Sequence, residues 1–165
     1  MEKINIDEKM MKLFDKLSSY PDFFKLNSQK IKNLKKYFNK FNCSSFPNYF
    51  LDFYRITDGM NIGEITFFSI NRQKENYVLL FSDYAKKNNI DEYMKHITIE
   101  DKNNFMFFAN DGDGGRFAFK KKNGKDEVYL FSKYKPDEVI IHESFYDWLS
   151  CAIDKAVKNQ LNKWN

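Results

Sequence analysis

The sequence has few of the features that mark exported, membrane or multi-domain proteins. Its 165 residues include only two cysteines and three prolines, and no linker stands out. Cys43 and Cys151 form no CxxC pair, and isolated thiols without an export signal indicate a reducing compartment. The N-terminus lacks the apolar run of a secretory signal, and no apolar run approaches the roughly 18 residues that span a bilayer. We therefore expect one cytoplasmic domain, residues 1–165, with no membrane partner.

The composition supports a folded core and gives weak evidence for a charged partner. Hydrophobic residues make up 42% of the chain, aromatics 18%, and the net charge is +4. Lysines are concentrated between Lys25 and Lys40, where no acidic residue occurs. This stretch fits either a nucleic-acid patch or a solvated helix face. We favour the helix face, because the stretch has no arginine and its aromatics fall on the apolar stripe rather than on a base-stacking surface.

Apolar residues recur at helical spacing in several segments. The predicted helices are Asp7–Leu17, residues 28–41, Phe46–Tyr54, residues 73–87 and Ser144–Leu161. A strand at Val78–Phe81 is the alternative within the fourth of these. Gly59 suits the left-handed conformation that follows a helix end.

Strand-like runs dominate the second half of the chain. They are Glu64–Ile70, Phe105–Ala109, Arg116–Lys120, Glu127–Ser132 and Val139–Ile141. The Asn123-Gly124 pair is a strong hairpin signal between two of them. Grouped strands with helices at both ends predict an α+β fold: an antiparallel or mixed sheet with a C-terminal β-meander, flanked by N-terminal and C-terminal helices.

The loop between two of these strands, Asp111-Gly112-Asp113-Gly114-Gly115, resembles a metal or phosphate site at first sight. An EF-hand starting at Asp111 needs an oxygen ligand fifth and Glu twelfth, but Gly115 and Lys122 occupy those positions. A P-loop would need GxxxxGK[ST] before a helix, and here a strand follows. A tight turn with positive φ at glycine is the favoured interpretation. A looser Ca²⁺ site through Asp111 and Asp113 stays open, but we predict no metal and no cofactor.

No catalytic group emerges from the other reactive residues. His96 and His142 have no partner at metal-ligand spacing, and the serine pairs lack a GxSxG elbow. Cys151 lies beside the apolar stripe of the last helix, where we expect partial burial. We therefore predict that the protein is not an enzyme.

Acidic residues gather at the start of the last helix. Glu143, Asp147 and Asp154 fall on the side facing away from its apolar stripe. Ser144 can cap the helix with Asp147 in its first turn, which is the favoured interpretation. The alternative is a recognition patch for a basic partner.

Three segments, taken in order, resemble the SUKH superfamily, in its Smi/Knr cell-wall-regulator-like branch. They are Phe46–Tyr54 leading to Thr57-Asp58-Gly59; the Phe107–Phe119 strand–loop–strand; and Val128–Phe131 before Ser144–Leu149. The resemblance covers about residues 29–155, after an N-terminal helical extension at 1–28. Departures include Phe46 for a usual Leu, and Gly115 where the loop pattern ends in Asp. The matching motif positions are expected to be structural: Pro47, Tyr49, Gly59, Asp111, Gly112, Gly114, Phe145 and Trp148.

The resemblance implies a non-catalytic protein-binding module. In bacteria such proteins look like immunity proteins that neutralise a cognate polymorphic toxin by binding it; the alternative is a regulatory scaffold of the cell-wall-regulator type. Nucleic-acid binding through Lys30–Lys40 is a third, less favoured class. The family carries no catalytic residues, so charged exposed positions are the candidates for partner contact. They are Asp111, Asp113, Arg116, Glu143 and Asp147.

Overall fold

The fold is α+β, with helices on both sides of the meander in chain order. The computed structural model describes residues 6–20, 48–69, 79–80, 105–120, 126–132, 134, 139–142 and 144–163. Its helices in that part of the chain are α1 (Glu8–Ser18), α2 (Asn48–Ile56) and α3 (Phe145–Lys163). The Asp7 carboxylate caps α1 by accepting the Lys9 N–H at 2.8 Å.

An antiparallel sheet forms the centre of the molecule. Its strands are β1 (Asn61–Ile62), β2 (Ile65–Phe67), β3 (Leu79–Leu80), β4 (Phe105–Asn110), β5 (Arg116–Lys120), β6 (Val128–Phe131) and β7 (Val139–His142). The order is β1-β2-β4-β5-β6-β7, and β3 pairs with β4 beyond the end of β2. The meander β4–β7 therefore follows the chain, while the earlier strands add to its first edge.

Aromatic side chains join the helices to one face of the sheet. Side chains alternate along a strand, so Phe117 and Phe119 share this face of β5. Phe50 of α2 lies 4.7 Å from Phe119 and 5.5 Å from Phe145 of α3, between ring centroids. Trp148 of α3 lies 4.7 Å from Phe117. Rings at these distances add edge-to-face attraction to the burial of apolar area, so α2 and α3 are fixed on the sheet.

The opposite face of the meander carries a second buried aromatic cluster. Phe105 lies 5.2 Å from Tyr129 and 5.0 Å from Phe131, and Phe107 lies 5.7 Å from Phe131. All four of these side chains are buried. The near-continuous burial of β4 on both faces explains its uninterrupted apolar sequence.

A turn after α2 brings buried polar groups together. Tyr54 donates its hydroxyl to the Phe68 carbonyl at 2.7 Å, and Ser69 donates to the Asp58 carboxylate at 2.6 Å. Gly59 adopts φ +81°, as its position after the helix predicts. A Cβ at Gly59 would lie 2.8 Å from the Phe67 carbonyl oxygen, so both the backbone conformation and the space require glycine.

Most predicted elements are confirmed, and the main error concerns residues 73–87. Leu79 and Leu80 lie in β3, paired with Phe107 and Met106, so the predicted helix is wrong there. Pairing with the free edge of β4 overrides the local helical spacing. The predicted strand Glu64–Ile70 is shorter than expected, and β1 was not predicted.

Two further expectations have different outcomes. Cys151 is exposed, so its predicted partial burial is wrong. It lies on α3 next to the apolar stripe but outside it. The predicted helix at residues 28–41 lies outside the described residues. So do Cys43, Pro47 and His96.

The turn after α2 gives a first testable prediction. Gly59→Ala should lower the free energy of unfolding by about 1–3 kcal/mol, because alanine is strained at positive φ and its Cβ meets the Phe67 carbonyl. Urea denaturation measures this. Gly112→Ala is the matched control, because a Cβ there would lie 3.4 Å from the nearest atom, an ordinary contact. Equal losses in the two variants would contradict the assignment.

Candidate protein-binding surface

Asp111 closes the Asn110–Gly115 loop by hydrogen bonding across it. Its carboxylate Oδ1 accepts the Gly115 N–H at 2.5 Å, and its own N–H donates to the Gly115 carbonyl at 3.2 Å. Gly114 has φ +95°, which confirms the predicted positive φ at glycine. A Cβ on the buried Gly115 would lie 2.9 Å from Asp111 Cγ, so glycine makes room for the carboxylate. Asp111 thus closes the turn and is half-buried, as expected for a structural motif position, although the sequence also placed it among the candidate contact residues.

The exposed charge of this loop comes from Asp113 and a neighbour that the sequence did not suggest. Asp113 is exposed at the tip. Glu64, exposed in the β1–β2 turn, lies beside Gly112, whose added Cβ would be 3.4 Å from Glu64 Cβ. The pairing of Thr66 with Asn110 brings the two turns to the same end of the sheet. Only the register reveals this, since Glu64 and Asp113 are far apart in sequence.

Arg116 follows the loop as the first residue of β5. Its guanidinium donates to the Gly115 carbonyl at 2.9 Å, and the side chain is half-buried. Arg116 therefore stabilises the end of the loop and also places a positive charge next to it.

A second acidic group lies where α3 begins. The Phe145 N–H donates to the Asp126 carbonyl at 2.8 Å, and the Asp147 N–H donates to Ser144 Oγ at 3.3 Å. The second bond confirms the predicted Ser144 cap. Asp147 is exposed, and Glu143 lies outside the described residues. Asp154, further along α3, forms an ion pair with Lys16 and ties α3 to α1.

Asp126 is the most perturbed carboxylate in the part of the chain that the structure describes. Burial raises the pKa of its carboxyl from 3.8 to about 6, and the charge of Asp147 acts in the same direction. The Phe145 N–H and the Ser144 hydroxyl oppose this rise by hydrogen bonding. Asp126 Oδ1 is buried without a hydrogen-bond partner. No local sequence pattern predicts the burial of Asp126, because it depends on the docking of α3.

The structure separates the predicted contact residues into two groups. Asn110, Arg116, Phe131 and Val139 are successive partners at one end of the sheet. Val128 and His142 are partners at the other end, next to Asp126 and α3. The length of β5 puts these ends roughly 13 Å apart. Asp111, Asp113 and Arg116 therefore share one end, which we call the loop end, and Asp147 lies at the other, the cap end.

An open depression of about 450 Å³ lies where α1 meets α2. Its chemistry is dominated by Asp52, whose buried carboxylate accepts the Asp7 N–H at 3.0 Å and Arg55 Nη1 at 2.5 Å. One carboxylate oxygen thus joins α2 to the start of α1, and the other is used within α2. The depression is lined by Ile6, Asp7, Glu8, Asn48, Asp52 and Arg55.

The described residues offer no assembled metal site. Among them, no group of three or more His, Cys, Asp or Glu side chains is placed to hold an ion. No helix in the same residues is long and apolar enough to cross a membrane.

Comparison with known families identifies the fold. A model of the SMI1/KNR4 family (SUKH-1) matches residues 25–151. The chain belongs to this family. The match covers most of the chain and includes α2, the whole meander and the start of α3. No curated protein matches the sequence.

The positions that carry the SUKH-1 resemblance lie largely in the core and turns. Phe145 and Trp148 are buried, and Tyr49 packs on Tyr146 with ring centroids 5.1 Å apart. Gly59 and Gly114 have positive φ. Gly112 is exposed in the loop, and Pro47 lies outside the described residues. Partner contact is therefore better sought at exposed positions around this framework.

The loop gives a second testable prediction. Asp111→Ala should lower the free energy of unfolding by about 1–3 kcal/mol, because it leaves the buried Gly115 N–H without its acceptor. Asp113→Ala is the matched control and should change it by less than about 0.5 kcal/mol, since its side chain is exposed. Thermal or urea unfolding measures both. A stable Asp111→Ala protein would show that the carboxylate does not hold the loop.

Asp126 gives a prediction about pH. Its folded pKa of about 6 exceeds the ordinary 3.8, so the folded state binds more protons between these values. The ionised carboxylate therefore lowers stability above the folded pKa, and this penalty disappears as the pH falls below the ordinary value. Asp126→Asn should be at least as stable as the wild-type protein at neutral pH, and the difference should shrink on acidification. Asp113→Asn, at the other end of the sheet, is the exposed control, and unfolding curves at several pH values provide the measurement.

Proposed function

We propose that the protein is a non-catalytic binding module that acts as a bacterial cytoplasmic immunity protein, neutralising a cognate polymorphic toxin by direct binding. Membership of the SUKH-1 family carries this proposal. The family motif positions of this protein include buried aromatic rings and turn glycines, which serve the fold. The exposed charged residues are therefore available for partner recognition.

The distribution of exposed charge supports protein recognition. Asp113 and Glu64 are exposed at the loop end, and Asp147 is exposed at the cap end. Carboxylates at the rim of a rigid sheet speed encounter with a basic partner and discriminate against acidic ones. Changing them costs little stability, so related proteins can alter their partner without losing the fold.

A second candidate is a regulatory scaffold of the Smi/Knr cell-wall-regulator type. The family match supports it equally at the level of fold. It differs in the expected partner, which would be a host regulatory protein rather than a toxin encoded beside it.

Co-expression tests the immunity function. The gene beside this one is expected to encode a secreted toxin, and the protein should restore growth to cells that express its toxin domain. The double variant Glu64→Lys/Asp113→Lys should weaken binding measured by calorimetry by about tenfold, since two rim charges are reversed, with an unchanged thermal melt. Lys158→Glu, an exposed change on α3, is the matched control.

Two outcomes would count against this proposal. Failure to rescue growth, together with no binding to the purified toxin domain, would remove the immunity function and favour the scaffold. Equal affinity of the double variant and the wild-type protein would remove the loop end from the contact surface.

A further inference from the structure

The two edges of the sheet differ in how they are protected. Among the described strands, β1 and β7 end the strand order. β1 has two residues and stops at Gly63, where a Cβ would lie 3.2 Å from the Ala156 Cβ of α3. Its length and the neighbouring helix limit further pairing there.

β7 is twice as long as β1 and has no charge-bearing acid or lysine within the strand. It has four residues, Val139-Ile140-Ile141-His142, with no proline, lysine or carboxylate. Burial lowers the pKa of His142 below its ordinary 6.5, so the strand is uncharged at neutral pH. No described strand pairs with its outer edge. Natural sheets place charges, prolines or bulges on such edges to prevent pairing, so a bare edge indicates a partner.

The side chains of β7 add an apolar contact to this edge. Ile141 is paired with the buried Tyr129 of β6, yet 55% of its surface is exposed. A strand added outside β7 would place its own side chain beside Ile141 and bury it. Tyr134, in the connection that leads to Val139, is 72% exposed at the loop end of the same strand.

Acidic residues lie towards the cap end of the sheet, where β7 ends. His142 is paired with Val128, and Asp126 lies two residues before Val128. The Phe145 N–H donates to the Asp126 carbonyl, and Asp147 follows two residues later in the first turn of α3, so both acids lie at the start of α3. A lysine or arginine at one end of an added strand would reach this acidic group.

We propose that the outer edge of β7 binds an extended segment of the partner protein by strand addition. Every second residue of the segment is apolar, so that an apolar side chain packs against Ile141. The segment ends in a basic residue at the cap end, beside Asp126 and Asp147. Main-chain hydrogen bonds to β7 supply affinity, and the apolar and basic side chains supply specificity. The inference rests on the proposed function, because it names how the protein partner docks.

Synthetic peptides test this without the toxin. A peptide of about eight residues alternating isoleucine and threonine, with a lysine at each end, matches the length of a short strand. A second peptide carries glutamate at the ends. The full chain should bind the lysine peptide more tightly, measured by fluorescence anisotropy, and hydrogen exchange at residues 139–142 should slow.

Two exposed apolar residues provide the matched variants. Ile141→Lys should weaken binding of the lysine peptide about tenfold or more, because it puts a charge on the edge and against the peptide's apolar side chain. Leu161→Lys, on α3 at 49% exposure, should leave binding unchanged. The thermal melts of both variants should match the wild-type melt, since both sites are exposed.

Each contrary outcome overturns the inference. Strand addition by a basic segment would be contradicted by any of three results. They are unchanged hydrogen exchange at residues 139–142, equal effects of the two variants on peptide binding, and equal binding of the two peptides. Sedimentation of the wild-type protein as a dimer that Ile141→Lys dissociates would assign the edge to a second copy. Because the peptides contain no toxin sequence, failed growth rescue would affect only the proposed function. If Ile141→Lys rescues growth normally and the peptides do not slow hydrogen exchange at residues 139–142, only this inference fails.

Discussion

The packing of Phe50 is the interaction on which the rest of the structure depends. Its ring is fully buried and lies between α2, the sheet and α3, in contact with Tyr54, Phe108, Phe119 and Phe145. Without this ring, α2 would lose aromatic contacts with β4, β5 and α3 at once. The positions of the β4–β5 loop and of the α3 cap both follow from it, since each is an end of an element that Phe50 fixes.

Two kinds of charged residue stand on this framework, and only their contacts distinguish them. Asp111 and Asp113 are two positions apart in one loop, yet the first accepts a buried backbone N–H and the second faces solvent. Asp154 likewise joins α3 to α1 through Lys16, and Asp52 joins α2 to the start of α1 by accepting the Asp7 N–H. A carboxylate that closes a turn or joins two helices is constrained by the fold, whereas one such as Asp113 or Asp147 is free to match a partner.

The sequence predicted what depends on neighbouring residues and missed what depends on register. The Ser144 cap, the turn at Gly59 and the β4–β7 meander follow from local patterns, and the structure confirms them. The favoured helix at residues 73–87 is wrong at β3, because pairing with β4 overrides a helical periodicity; the alternative strand at Val78–Phe81 includes β3. The closeness of Glu64 to the loop and the burial of Asp126 arise from strand pairing and helix docking, which no short motif encodes.

The register also explains how residues at opposite ends of the sheet could serve one partner. The loop end and the cap end are separated by the length of β5, so a small contact at either end would not include the other. β7 runs from Val139 at the loop end to His142 at the cap end, where His142 is paired with Val128. A polypeptide segment laid along β7 would therefore run from the loop end to the cap end of the sheet. Strand pairing is the simplest geometry that makes a single recognition surface from residues that the fold holds apart.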